Sequence, residues 1–144
     1  MFRFTIRLAV FAVAFLAWDT RCLVAADKEA NIAIVSPKDG AKAAQSEEVE
    51  GKLNIDGWPV VLVQPQAGEK VWWIQEPVEE IDKGKFTVPV RLGDDKTPVG
   101  TKFKLVIIVA KDKQEAQKYE RGKTRATLPP GLPKSEPVVV SRGE

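Results

Sequence analysis

The side chains of this 144-residue chain that could bind or transform a ligand are tryptophans and acids, because there is no His and only one Cys, at position 22. That composition excludes Ser-His-Asp and Cys-His catalysis and thiolate or imidazole zinc sites. The acids include two adjacent pairs, Glu79-Glu80 and Asp94-Asp95, with Glu76 nearby. Neighbouring side chains on an extended chain point apart. Neither pair is therefore a ready acid/base couple, which needs carboxyl groups about 5–9 Å apart across a cleft. A glycan hydrolase working with carboxylates alone would have to draw on these five acids. Asp94, Asp95 and Thr97 carry oxygens suited to Ca²⁺, but the stretch lacks the D-x-D-x-D-G spacing of a calcium loop. No phosphate-binding G-x-x-x-x-G-K-[ST] occurs. No catalytic residue, metal or cofactor is expected.

The tryptophans say more. Trp72 and Trp73 are consecutive, so on a strand their rings lie on opposite faces of the sheet. One can enter a core beside Phe86 and Phe103, while the other faces outward. Val60 to Val63 is likewise apolar on both sides, so one sheet carries an apolar outer face, which a solitary sandwich covers or uses. A helix over Lys113 to Arg121 could cover it through Ala116 and Tyr119. Alternatively the outward Trp, flanked by Gln64 and Gln75, forms a flat platform for a sugar ring or a partner protein, with the amides supplying hydrogen bonds. Trp58, just before the Val60 strand, completes the candidate binding set of Trp58, Gln64, Trp72, Trp73 and Gln75.

These residues must be positioned by short strands. Seven are expected between Gly, Pro and Asp punctuation: Ile32 to Val35, Glu48 to Ile55, Val60 to Val63, Val71 to Gln75, Lys85 to Arg91, Lys102 to Ala110 and Val138 to Ser141. The second, fifth and sixth alternate apolar with polar, as in Phe86, Val88 and Val90 against Lys85, Thr87 and Arg91. Each thus has one buried and one wet face, the signature of antiparallel sheets stacked on a shared core. One helix is expected over residues 112–121, capped by Asp112 with Glu115 and ended by Gly122. A stiff proline-rich connector, 128–137, then leads to the last strand. Together these predict an all-β chain: a single immunoglobulin-like antiparallel β-sandwich of about seven strands with one short helix before the last strand.

The N-terminus reads as an export signal over residues 1–26. Arg3 and Arg7 precede an 11-residue apolar run, Leu8 to Trp18, and Val24-Ala25-Ala26 suits signal peptidase. Eleven helical residues span about 16 Å, roughly half a hydrocarbon core, so a cleaved signal is favoured over an anchor. Residues 27–144 would form the sandwich domain. Without Arg3, Arg7, Arg21 and Asp19 it has 19 basic and 19 acidic residues, and it lacks cysteine. A neutral chain lacks the basic excess that nucleic-acid binding needs. The stretch Lys111 to Arg125, with six basic and three acidic residues, is the one local excess. Such a run is read as the solvated face of a helix.

Ile34-Val35-Ser36-Pro37-Lys38-Asp39-Gly40, followed by Val49-Glu50-Gly51, resembles the opening of bacterial immunoglobulin-like modules: a strand, an S-P-x-D-G turn, then a V-x-G strand. The resemblance implies an envelope or extracellular module used for adhesion, spacing or ligand binding, without catalysis. The expected function is an exported, periplasmic or extracellular, non-catalytic binding module whose partner is an envelope protein or glycan. It would be a monomer or weakly self-associating, with no stable membrane insertion after cleavage. The alternatives are a structural envelope subunit assembling through its edge strands and the carboxylate-only glycan hydrolase.

Overall fold

A computed structural model describes residues 31–144; the expected export signal and residues 27–30 lie outside the described residues. The chain is mostly β and packs as two sheets. β1 (Ile32–Ser36), β3 (Ser46–Leu53) and β6 (Lys85–Arg91) form a three-stranded antiparallel sheet in the order β1-β3-β6. The second sheet has six strands: β2 (Lys42–Ala43), β9 (Val138–Arg142), β7 (Lys102–Ala110), β4 (Trp58–Pro65), β5 (Trp72–Ile74) and β8 (Thr124–Arg125), in that order. Each of the seven expected segments contains a strand. β2 and β8, two residues each, were not expected, and the described residues carry nine strands rather than about seven.

The alternation sorts side chains as the sequence implied. Val49, Val88 and Val90 from the small sheet meet Val61, Leu105 and Ile107 from the large one in a continuous core. Phe86 pairs with Gly51 across β6 and β3, and its ring occupies the space that a Cβ at position 51 would fill. The V-x-G pattern therefore reports a packing need. The S-P-K-D-G turn carries the chain from one sheet to the other. Asp39 Oδ1 accepts from the Val139 N–H at 2.9 Å, and the Gly40 N–H donates to the Val139 carbonyl at 2.7 Å, fastening the turn to β9. Gly40 has φ +80°, a conformation that costs glycine little.

The helix is shorter than expected. α1 spans Lys113–Ala116, not 112–121, although its expected cap is present: Asp112 accepts from the Glu115 N–H at 2.8 Å. Beyond Ala116 the chain tightens into turns and returns to the sheet edge. There the Ile74 N–H donates to the Lys123 carbonyl, the Gly122 N–H donates to the Ile74 carbonyl, and β8 pairs with Trp72 and Trp73. The 128–137 segment is likewise more than a connector. Pro133 and Ser135 accept from the amides of Val109 and Ile107, extending the β9 side of β7.

Candidate functional site

The two tryptophans of β5 occupy opposite faces, as adjacency requires, and the one on the outer face is the buried one. Trp72 points to the outer face of the large sheet and is 7% exposed. It packs there with Val60, Leu62, Ile74, Val106, Ile108 and Ala116, and Tyr119, Leu128 and Leu132 complete a second apolar cluster. The covering reading of that face thus describes it, with the turns and the 128–132 segment extending what α1 begins. Trp73 lies on the face that looks toward the small sheet, level with Val63. It does not enter the core beside Phe86 and Phe103, and it is 44% exposed. The reason is architectural: the small sheet ends at β6, so β5 overhangs it.

Beneath that overhang is a cleft of about 1040 Å³. Trp73, Val63 and Pro65 contribute to one wall, Phe103 and Val90 lie deeper, and the 93–98 loop with Gln45 forms the far side. Gln75 closes it at one end. Its side chain is 8% exposed; Oε1 accepts from the Arg91 N–H at 2.8 Å and Nε2 donates to the Trp73 carbonyl at 3.1 Å. Gln75 is a strut that joins the edges of the two sheets, and both of its polar atoms are committed to that task. Glu76, next along, forms an ion pair with Arg121 at the rim.

The far side is held by two devices. Arg142 from β9 donates to the carbonyls of Leu92 at 3.1 Å and Asp94 at 2.7 Å. Within the loop, Asp94 Oδ1 accepts from the Lys96 N–H at 2.9 Å and from the Thr97 hydroxyl at 3.2 Å, while Thr97 Oγ1 accepts from the Asp94 N–H. The Lys96 N–H and the Thr97 hydroxyl hold the Asp94 carboxyl below its ordinary value of 3.8. Asp94 and Thr97 are thus occupied in shaping their own turn. Asp95 accepts from the Gln45 amide at 3.1 Å. The described residues contain no cluster of three or more His, Cys, Asp or Glu side chains placed to hold a metal ion.

Of the five candidate residues, the cleft brings together Trp73 and Gln75. Gln64 is level with Leu62 in face parity, on the opposite side of β4, and lies in a loop network with Lys70 and Gln66. Trp58 stands at the far end of β4, five residues or about 17 Å of strand from Val63. It donates its indole N–H to the Val78 carbonyl and has the Lys113 ammonium 5.1 Å from its ring. Trp72 is covered. Glu79 pairs with Lys113, away from the cleft. The local basic excess is also largely compensated, with Lys113, Lys118, Arg121 and Lys123 in ion pairs and Arg125 over the Tyr119 ring. Gln45 and Arg142 gave no sequence signal, since their roles arise from contacts 50 and 48 residues away. The Asp94–Thr97 turn did have one: Asp at a turn start followed by Thr three residues on. Comparison with family models, curated proteins and solved structures finds no match to this chain.

Proposed function

We propose that the chain is an exported, non-catalytic binding module on an immunoglobulin-like scaffold, with its ligand seated in the cleft beside Trp73. The observation that carries this reading is the 44% exposure of Trp73 on the inter-sheet face, against 7% for its neighbour. A Trp side chain offers about 150–250 Å² for burial, so leaving nearly half of it wet forgoes on the order of 2 kcal/mol. A ligand that covers the ring recovers that term. The cleft also has a fixed shape, since Gln75 and Arg142 tie its walls to different strands, and a site built in advance binds without an ordering cost.

Strand order supports the immunoglobulin-like part of the reading. On this reading β1, β3 and β6 correspond to strands A, B and E, and β9, β7 and β4 to G, F and C, with β5 beside C. The first strand switches sheets at the S-P-K-D-G turn, ending with β2 parallel to β9. Export is supported by the 1–26 signal pattern, and an exported chain without cysteine in residues 27–144 fits a bacterial envelope better than a eukaryotic secretory route. No helix among the described residues is long and apolar enough to cross a membrane. Assembly through edge strands is less well supported. β2 and β8 are two residues each, β1 breaks register at Ile34/Ser36, and β6 carries Pro89. Short, bulged and proline-bearing edges resist pairing with another chain.

The test is retention of residues 27–144 on isolated bacterial envelope material, compared with Trp73→Ala. Retention by the wild type and its loss in a variant that still unfolds cooperatively are expected. Retention equal in both would overturn the cleft as the site.

A further inference from the structure

We propose that the ligand of this cleft is a neutral β-linked glycan chain; the inference rests on the cleft being the binding site. The backbone around the cleft is closed to a peptide. On the β5 side, β8 and the Ile74–Lys123 and Gly122–Ile74 hydrogen bonds occupy the free edge. On the β6 side, Gln75 takes the Arg91 N–H, and Pro89, two residues earlier and so facing the same edge, has no N–H to give. An extended peptide adding as a strand needs those groups.

Side chains remain, and their chemistry is that of sugar recognition. Trp73 presents a flat apolar ring to the cleft. Across from it, the Gln45 amide and the Asp95 carboxylate are joined at 3.1 Å. That pair leaves Gln45 Oε1, its second amide hydrogen and the other Asp95 oxygen for further bonds. A β-linked pyranose has the matching surface: axial C–H bonds form an apolar face for the indole, and equatorial hydroxyls at its rim both donate and accept. Charge selects for a neutral chain. The cations lining the cleft are Arg91, Lys96 and Arg121, against Glu76, Asp94 and Asp95, so the signs balance. An anionic polymer would find no net positive field. The volume, about 1040 Å³, is at the upper limit of the roughly 300–1,000 Å³ of single-ligand sites and suits an oligomer in an open groove.

Isothermal titration of residues 27–144 with cellohexaose and chitohexaose tests the proposal, alongside a peptide array probed with the same proteins. Binding of at least one hexaose is expected, weakened at least about tenfold by Trp73→Ala, as for an interface hot spot, and several-fold by Gln45→Ala. Trp73→Phe should recover part of the loss. Hexaose binding that Trp73→Ala leaves intact would overturn the proposal. Failure of both hexaoses, with Trp73-dependent binding to peptides, would overturn the glycan and leave the cleft standing. Failure in both arms would overturn the two together.

Discussion

Trp72 and Trp73 differ by one step along β5 and by the whole thickness of the sheet. Trp72 fills a closed apolar cluster, so Trp72→Ala should cost about 3–5 kcal/mol through lost burial and the cavity left behind. Trp73→Ala removes a ring already half in water, and losing its buried half should cost about 2 kcal/mol, less than Trp72→Ala. Urea unfolding of the two variants measures both, and equal losses would mean that Trp73 is a core residue. Asp94 makes a prediction of a different kind. Its folded carboxyl lies below the ordinary 3.8 because the Lys96 N–H and the Thr97 hydroxyl bond to the ionised form. Its contribution to the loop is therefore present above the ordinary carboxylate range and is lost as pH falls through the folded value. An NMR titration should give a midpoint below 3.8 for Asp94, with the amide shifts of Lys96 and Thr97 following it. Asp94→Asn keeps an acceptor oxygen and should abolish that pH response while retaining the turn.

At the scale of elements, Gly51 shows what a short motif encodes. Phe86 from the adjacent strand covers it, so Gly51→Ala should destabilise by about 1–3 kcal/mol through overpacking. The double change with Phe86→Leu should recover part of that loss, and additive losses in a double-mutant cycle would show that the two positions do not interact. Strands such as β6 and β7 were legible because period-two alternation and β-branched residues are local signals. The Trp72/Trp73 split between faces was equally legible, since pleating demands it. Which ring was wet was not, because that depends on the small sheet ending at β6, a fact about sheet width that no residue near Trp73 records. The helix misled for a related reason. Asp112 and Glu115 form a true cap, but the amides of Lys118 and Tyr119 bond only three residues back, and Tyr119 packs on the outer cluster as the chain turns to reach the β5 edge at Gly122, so tertiary packing overrides local propensity beyond Ala116. Gln64 and Gln75 looked alike beside the tryptophans, yet strand parity puts the first on the wrong face and the second between the sheets.

The described residues form a three-layer arrangement in which the large sheet has a core on each side. One side meets the small sheet, and the other meets the chain from Lys111 to Ser135. The second layer contains only four helical residues and is anchored by Ala116, Tyr119, Leu128 and Leu132. A layer with so little regular structure of its own should open at lower free energy than the sandwich it covers. β7 supplies an internal comparison, because its amides alternate between partners. Ile107 and Val109 donate to Ser135 Oγ and the Pro133 carbonyl, whereas Val106 and Ile108, which alternate with them, face β4. If the covering layer detaches as a unit, Ile107 and Val109 should exchange their amide hydrogens with it, while Val106 and Ile108 wait for the opening of the sandwich. Leu128→Ser with Leu132→Ser should speed exchange at the first two and leave the second two unchanged, and it should raise the binding of an apolar dye to the uncovered face. Equal exchange at all four amides would make the two cores one cooperative unit. The cleft lies on the sandwich side and meets the layer only at Arg121, which pairs with Glu76, and Gly122, so Trp73-dependent binding should survive the double substitution.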